Sequence, residues 1–531
     1  MTRKLLLGDE AIAMGALNAG ISGVYAYPGT PSTEITEFIQ TNATAKGMNV
    51  RSRWCVNEKT AMEAALGMSF AGKRAMVCMK HVGLNVAADP FVNSAITGVN
   101  GGLVVLVADD PSMHSSQNEQ DSRFYGKFAL IPIFEPSSQQ EAYDMMDKAF
   151  CLSESLHLPV LMRMVTRLAH SRAAVEVGEA RVQNNLNPDT DRSHWVLLPA
   201  MARRQYASLV EKQGIIAEAS ENSEYNFTKD IPASGKSRLG IITSGIGYNY
   251  FRETGVKLPV LKISQYPVPA AKVREIASSC ESILVVEDGQ PFVEEQVRGI
   301  LGAGYKIAGR LDGTLPRTGE LNPDSVAAAL GKSNESAFND IHNLVGRPPA
   351  LCNGCGHRDM YAALKEIVAE YPEARVFGDI GCYTLGALPP FKAIDSCVDM
   401  GASITMAKGA ADAGVFPAVS VIGDSTFTHS GITGLLDAVN ENAPITVIIS
   451  DNLTTGMTGG QDSAGTGRLE QICKGIGVDP DHLRVVTPLP QNMEEIKRTM
   501  REEMEYRGTS VIISRRECIQ TLGRRLKKEK K

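Results

Sequence analysis

The sequence predicts an α/β protein built on parallel sheets covered by helices on both faces. Three observations carry that reading. Apolar runs of strand length alternate with amphipathic stretches of helical length. Several runs, "GGLVVLVAD" among them, are apolar at nearly every position rather than at every second one, as a strand buried on both sides requires. The alternation comes in three blocks, separated by polar sequence.

The first block, residues 1–172, offers strands at "GVYAYP", "RAMVCMK", "GGLVVLVAD" and "PVLMRMV". Helical stretches such as "STEITEFIQ", "EKTAMEAALGMSFAG" and "SQQEAYDMMDKAFCLSE" lie between them. Residues 173–237 turn polar and rich in Asn and Ser, which reads as a connector draped over a surface. A smaller block follows at 238–335, with "LGIITSG", "PVLKIS" and "SILVVED" as strands. The third block, 345–522, has "RVFGDI", "AVSVIGD", "ITVIISD" and "TSVIISRR", and residues 523–531 form a basic tail.

Composition narrows the class. The 531 residues are 43% hydrophobic and 21% charged with a formal net charge of −6, which favours neither nucleic acid nor an anionic membrane as partner. Gly8-Asp9-Glu10 ends the first apolar run too early for a signal peptide, and no run approaches the ~20 residues of a membrane helix. A cytoplasmic protein with reduced thiols is expected, because its ten cysteines are scattered through a long chain.

The chemistry begins at "VIGDSTFTHSGITGLLDAVNENAPITVIISDN". Gly423-Asp424-Ser425 and Asp451-Asn452 each stand where a strand should end, and ligands gather at the carboxyl ends of parallel strands. With an ordinary crossover helix between them, the Asp424 carboxylate, the Asn452 amide oxygen and a loop carbonyl can meet on one hard cation such as Mg²⁺. Each dipeptide alone also reads as a plain turn.

The stretch resembles the thiamine diphosphate motif, Gly-Asp-Gly followed some two dozen residues later by Asn-Asn; here 25 residues separate Ser425 from Asp451. Ser425 replaces the third Gly and Asp451 the first Asn. The resemblance maps the Mg²⁺ ligands to Asp424, Asn452 and the carbonyl of Thr454. Met400, 24 residues before Asp424, matches the apolar wedge that bends the cofactor, although a Met at helical spacing is also core filler. "WCVNEKTAMEAALG" resembles the turn whose glutamate holds the pyrimidine nitrogen, which would be Glu58; capping of a helix explains an Asn-Glu pair equally well.

These stretches, together with "YPGTPSTEI", "ADDPSMHSSQNEQDSRFYGKFA" and "SDNLTTGMTGGQDSAGTG", closely resemble the alpha subunits of indolepyruvate ferredoxin oxidoreductases, within the 2-oxoacid:ferredoxin oxidoreductases. The likeness runs from Leu7 to about Cys518. It implies a pyrimidine domain, a transketolase-C-like middle domain and a diphosphate domain. The implied reaction turns an arylpyruvate (indolepyruvate, phenylpyruvate or 4-hydroxyphenylpyruvate) and coenzyme A into aryl-acetyl-CoA, CO₂ and two electrons for ferredoxin. A beta subunit, and a dimer of the chain or a two-plus-two assembly, come with it.

Further residues take roles from that resemblance. Glu58, His81 and His114 are the catalytic candidates, Asn85 faces the cofactor, and Ser115, Gln117 and Arg163 are the substrate candidates. Arg163 has a structural ion pair as its plain alternative. In "LCNGCGHRDM", zinc, a redox disulfide and a Gly-rich turn whose N–H groups face phosphates all stand as readings; the last engages Cys355, Gly356 and His357. Asp379, Gly381 and Cys382 form a second cofactor loop, and Gly423 and Ser425 flank the motif Asp. The sequence has no C-x-x-C-x-x-C-x-x-x-C-P run, and Cys352/Cys355 is its one close cysteine pair, so no iron–sulfur cluster is expected on this chain. A non-oxidative thiamine diphosphate decarboxylase or carboligase, and a non-catalytic scaffold subunit, are the rival readings.

Overall fold

In the computed structural model, which describes residues 2–332 and 348–529, the chain forms two compact units, Met1–Asp340 and Ile341–Lys531. The expected boundaries at 335 and 345 and the last two tail residues lie outside the described residues. The α/β class holds. Among the described residues, no helix is long and apolar enough to cross a membrane.

The first unit carries a seven-stranded and a five-stranded sheet. The larger runs Gln265–Tyr266, Ile133–Phe134, Val160–Val165, Leu103–Asp109, Ala75–Lys80, Gly23–Ala26 and Arg51–Trp54 from edge to edge. Every pair is parallel except the first, where Gln265–Tyr266 runs antiparallel to Ile133–Phe134. The three central strands that read as continuous apolar runs are buried at every position. Parallel pairing places the residues that follow each of these strands at one end of the sheet.

The smaller sheet orders Lys306–Ala308, Ser282–Val286, Gly240–Ser244, Val260–Ile263 and Phe227–Lys229. The stretch read as a connector is more structured than its composition suggests. It holds the helices Pro199–Glu211 and Gln213–Glu221, which bury Leu209 and Ile216, and its Phe227–Lys229 is the antiparallel edge of this sheet. The extreme N-terminal strand Thr2–Leu7 pairs with Arg172–Val177 in a two-stranded ribbon.

Two arginines fasten the first unit internally. Arg163, in the middle of an apolar strand, is fully buried. Its Nε lies 2.6 Å from Asp109 Oδ2, its guanidinium pairs with Glu135, and Nη2 donates to the Asp288 carbonyl at 2.9 Å. Arg123, equally buried, donates to Asp121 at 2.9 Å, to the Gln290 carbonyl at 3.1 Å, and pairs with Glu287 at 3.0 Å. The loop after Ser282–Val286 thereby joins the end of the larger sheet. Gly289, at φ +107°, leaves room there: a Cβ would lie 2.6 Å from Arg163 Nη2.

The second unit is a six-stranded, wholly parallel sheet ordered Ser396–Cys397, Arg375–Gly378, Ala418–Gly423, Ile445–Asp451, Ser510–Arg515 and Leu483–Val486. Separate apolar clusters cover its two faces.

Replacing Arg163 by Met should lower the stability of the first unit by about 3–5 kcal/mol, because it strands buried carboxylates without their partner. Urea denaturation of the variant checks this, and a loss below about 1 kcal/mol would mean the lattice tolerates an unpaired charge.

Candidate active site

In the second unit the sequence candidates converge. Asp379, Asp424 and Asn452 each follow one of three adjacent parallel strands, so all three stand at the same sheet end. Asp424 is 2% exposed and its Oδ2 has no hydrogen-bond partner. Burial, then the neighbouring Asp451 charge, push its carboxyl up to about 7. A buried carboxylate with an unused oxygen is the donor a hard cation needs.

The neighbouring loop is shaped to match. Asn452 Oδ1 accepts the Thr454 N–H at 3.2 Å, and Leu453 between them sits at φ +62°, a conformation costly for a side chain of its size. The Thr454 hydroxyl donates to the Gln461 carbonyl at 2.9 Å. Ser425 earns its place in the motif by accepting the Thr455 hydroxyl at 3.0 Å, which ties the two loops together. Asp451, the other departure, is buried and paired with Arg515, whose guanidinium also clasps Glu470 at 2.7 and 2.8 Å. The extra acid is held in an ion pair where it stands.

Tyr383 organises the wall beside this cradle. Its ring fills the space over two glycines: a Cβ would lie 2.2 Å from the ring at Gly381 and 2.6 Å at Gly423. Its hydroxyl bonds Asp379, which also accepts the Ser403 hydroxyl at 2.7 Å and is pushed up to about 7 by burial. His357, in the first turn of the helix Gly356–Val368, meets Tyr383 edge-on with centroids 6.4 Å apart. Neither of its ring nitrogens has a partner, and burial pushes it down to about 4, so it is neutral. Cys355 is the residue before that helix and Gly356 its first residue, whose absent Cβ makes way for Arg516. Met400 is half-buried immediately before Gly401, which starts the helix Ala402–Asp412.

The thiols stand closer together than their spacing in the sequence suggests. The expectation of a cluster-free chain rested on Cys352/Cys355 being the one close pair. Cys382 lies near enough to Cys518, Cys355 and Cys352, and to Asp424, for their charges to help burial push it up to about 12. Cys355 likewise feels Cys352 and Cys518. The fold therefore gathers four thiols, and the Cys518 N–H donates to the Asn452 carbonyl at 3.1 Å. Sequence spacing gave no hint of Cys518; only the parallel pairing of Ile445–Asp451 with Ser510–Arg515 brings it in.

In the first unit, Glu58 is the first residue of the helix Glu58–Phe70 and is 5% exposed. Capping falls to Asn57, which accepts the Thr60 N–H at 2.9 Å. The Glu58 carboxylate lies against Gly83, where a Cβ would sit 2.5 Å from Oε1. His81 opens the short helix His81–Val86, buried and held neutral by burial. Asn85, on the same helix, is exposed and accepts the Tyr125 hydroxyl at 2.7 Å. His114, Ser115 and Gln117 are exposed in the loop after Leu103–Asp109. His114 Nε2 lies 3.3 Å from Glu320, and the Ser115 N–H donates to Asp110 at 2.8 Å.

Arg163 does not join them. Its guanidinium is saturated by Asp109, Glu135 and a backbone carbonyl, so it is a structural ion and not a substrate contact. Lys80 is a better cation at this end and was passed over. It closes the strand Ala75–Lys80, donates to the Ser115 carbonyl at 2.6 Å, and is pulled down to about 8 by burial. A lysine ending an otherwise apolar run was its signal in the sequence.

Comparison with known proteins agrees with this arrangement. The sequence profile of the pyruvate flavodoxin/ferredoxin oxidoreductase thiamine diphosphate-binding domain matches residues 14–228. That of the thiamine pyrophosphate enzyme C-terminal TPP-binding domain matches residues 379–514. The indolepyruvate oxidoreductase subunit IorA of Archaeoglobus fulgidus is 40% identical across 99% of this chain and 88% of its own length. That of Pyrococcus abyssi is 38% identical across 97% of this chain and 86% of its own. A 2-oxoglutarate:ferredoxin oxidoreductase from Magnetococcus marinus shares the fold, with a TM-score of 0.50 and 16% identity over 62% of this chain and 65% of its own. The chain thus belongs to the IorA family of indolepyruvate oxidoreductase subunits, thiamine diphosphate-dependent members of the 2-oxoacid:ferredoxin oxidoreductases.

Proposed function

We propose that the chain is the catalytic subunit for oxidative decarboxylation of an arylpyruvate (indolepyruvate, phenylpyruvate or 4-hydroxyphenylpyruvate) with coenzyme A, giving aryl-acetyl-CoA and CO₂ and passing electrons to ferredoxin. The near full-length likeness to IorA subunits carries this reading. A beta subunit and ferredoxin are its partners. Residues 1–172 act as the pyrimidine domain, 238–335 as the transketolase-C-like domain and 345–522 as the diphosphate domain.

When bound, thiamine diphosphate supplies a carbon nucleophile and an electron sink. Asp424, Asn452 and the Thr454 carbonyl hold Mg²⁺, with Arg515 keeping Asp451 from competing for it. The first turn at Gly356 and His357 offers N–H groups to the diphosphate. Met400 would supply the apolar wedge that supports the cofactor. Glu58 holds a proton at the pyrimidine ring nitrogen, a position open to it because residue 83 is Gly. His81 and His114 handle protons on the substrate side, Ser115 and Gln117 orient the substrate, and Lys80 offers an ammonium to its carboxylate. The thiols of Cys352, Cys355, Cys382 and Cys518 are the number a four-iron cluster takes and stand beside the Asp424 loop, where electrons leave.

Glu58→Gln should fold normally and lose turnover by roughly 10²- to 10⁴-fold, as removal of a positioned acid–base group does. Hydrogen exchange at the cofactor C2 measures it, and wild-type exchange in the variant would move the role elsewhere. Mg²⁺-thiamine diphosphate affinity should be full above about pH 7 and fall by up to about tenfold per unit below it, because a proton on Asp424 competes with the cation. Calorimetry across that range checks this; a flat profile would detach Asp424 from the metal.

The assembled enzyme, supplied with each arylpyruvate, should reduce a low-potential acceptor only with coenzyme A present. Release of an aldehyde without acceptor or coenzyme A would establish the non-oxidative rival. Anaerobic metal analysis should find about four irons per chain. Iron-free wild-type protein, or iron unchanged in Cys382→Ser, would remove the proposed exit.

A further inference from the structure

The stretch "LLLGDEAIAMG" reads in sequence as a truncated apolar run, yet its Asp9 is among the most buried charges in the protein. It stands in the first turn of the helix Gly8–Asn18 at 0% exposure, and neither of its oxygens has a hydrogen-bond partner. A buried carboxylate without donors is costly, and burial pushes the Asp9 carboxyl well up, so its charge is relieved by a proton or by a cation. Two other ligating side chains face the same point. Glu34 comes from the first turn of the helix Thr33–Thr41, and His170 caps the helix Thr166–Ala169 after the strand Val160–Val165. One donor atom from each of the three lies within 4.8 Å of the others. Glu34 Oε1 is 3.7 Å from His170 Nε2, while Glu34 Oε2 is buried and unpartnered.

We propose that Asp9, Glu34 and His170 bind one divalent first-row transition cation. An imidazole nitrogen with two carboxylate oxygens suits Mn²⁺, Fe²⁺ or Zn²⁺, and the nitrogen argues against Mg²⁺ and Ca²⁺. The two carboxylates balance the charge of a dication and the neutral imidazole adds none, with remaining positions for water. Entry is open, because the Glu34 and His170 side chains are each 37% exposed above the buried Asp9. The ion would staple three chain segments. One is the helix Thr33–Thr41, entered through the turn "PGTPS", which is held by the Ser32 hydroxyl on the Gly29 carbonyl at 2.8 Å and the Gly29 N–H on Thr33 at 3.0 Å. That turn touches the substrate loop, where the Ser115 hydroxyl donates to the Thr30 carbonyl at 3.4 Å. The site is distinct from the Asp424 cradle, which lies in the other unit.

The probe is Mn²⁺ alone, added to the full chain carrying Asp424→Ala so that the diphosphate site cannot hold it. Electron paramagnetic resonance should show one bound Mn²⁺ per chain with nitrogen coupling from His170. Asp9→Asn, nearly isosteric and uncharged, should weaken binding by at least roughly tenfold. His170→Gln should do the same and abolish the nitrogen coupling. If the Asp9 variant fails to fold, the surface-accessible His170 variant decides. Absence of bound Mn²⁺, or affinity and nitrogen coupling unchanged in the folded variants, would overturn the proposal and leave an acid pair that shares a proton.

Discussion

Arg163 and Arg123 hold the first unit in shape, and much of its site geometry follows from them. Each guanidinium is buried among carboxylates at the end of the larger sheet and donates to a carbonyl of the loop after Ser282–Val286, and Arg123 also pairs with Glu287 at the end of the smaller sheet. Charges taken so far from water are tolerable only when every donor is used. Gly289 and Gly245 stand where a side chain would break the packing, their Cβ positions 2.6 Å from Arg163 Nη2 and 2.4 Å from Glu135 Oε1. The acids outnumber the bases locally, and burial pushes Glu287 up to about 7 and Asp288 to about 6. The loop that carries His114, Ser115 and Gln117 follows the strand Leu103–Asp109, whose last residue is one of the partners of Arg163.

The second unit solves a related problem on a smaller scale. Its motif carries an acid where the common pattern has an amide, and that acid would repel the charge of Asp424. Arg515 offsets part of that charge, and Glu470 keeps Arg515 in place with a bidentate clasp. Asp424 consequently keeps its unsatisfied oxygen and its readiness to lose a proton to a cation. The two deviations from the motif are thus local adjustments that leave Asp424 Oδ2 without a hydrogen-bond partner.

Continuous apolar runs revealed the central strands because a doubly covered parallel strand has no polar face to disguise it. "LVVLVAD", "AVSVIG" and "ITVIISD" are all strands buried throughout. Arg51–Trp54, Ile133–Phe134 and Leu483–Val486 escaped notice, being short or half-exposed. Site residues adjacent to a strand end, such as Asp424 and Asn452, were legible for the same reason. Arg163 was misread because a cation in an apolar strand looks identical whether it awaits a ligand or serves an internal lattice. The surroundings of Cys518 and Asp9 were invisible in the sequence because their neighbours lie far along the chain, and only tertiary pairing reveals them.

The glycines around Tyr383 have a meaning for sequence variation within such proteins. Gly423 has an ordinary φ of −81° and Gly381 an extended one of 174°, so neither is demanded by its backbone. Both are hollows cast from one aromatic ring. Positions 381, 383 and 423 therefore drift together or not at all. A homologue with a small residue in place of Tyr383 is free to lose both glycines, and with them the wall that keeps Asp379 away from solvent.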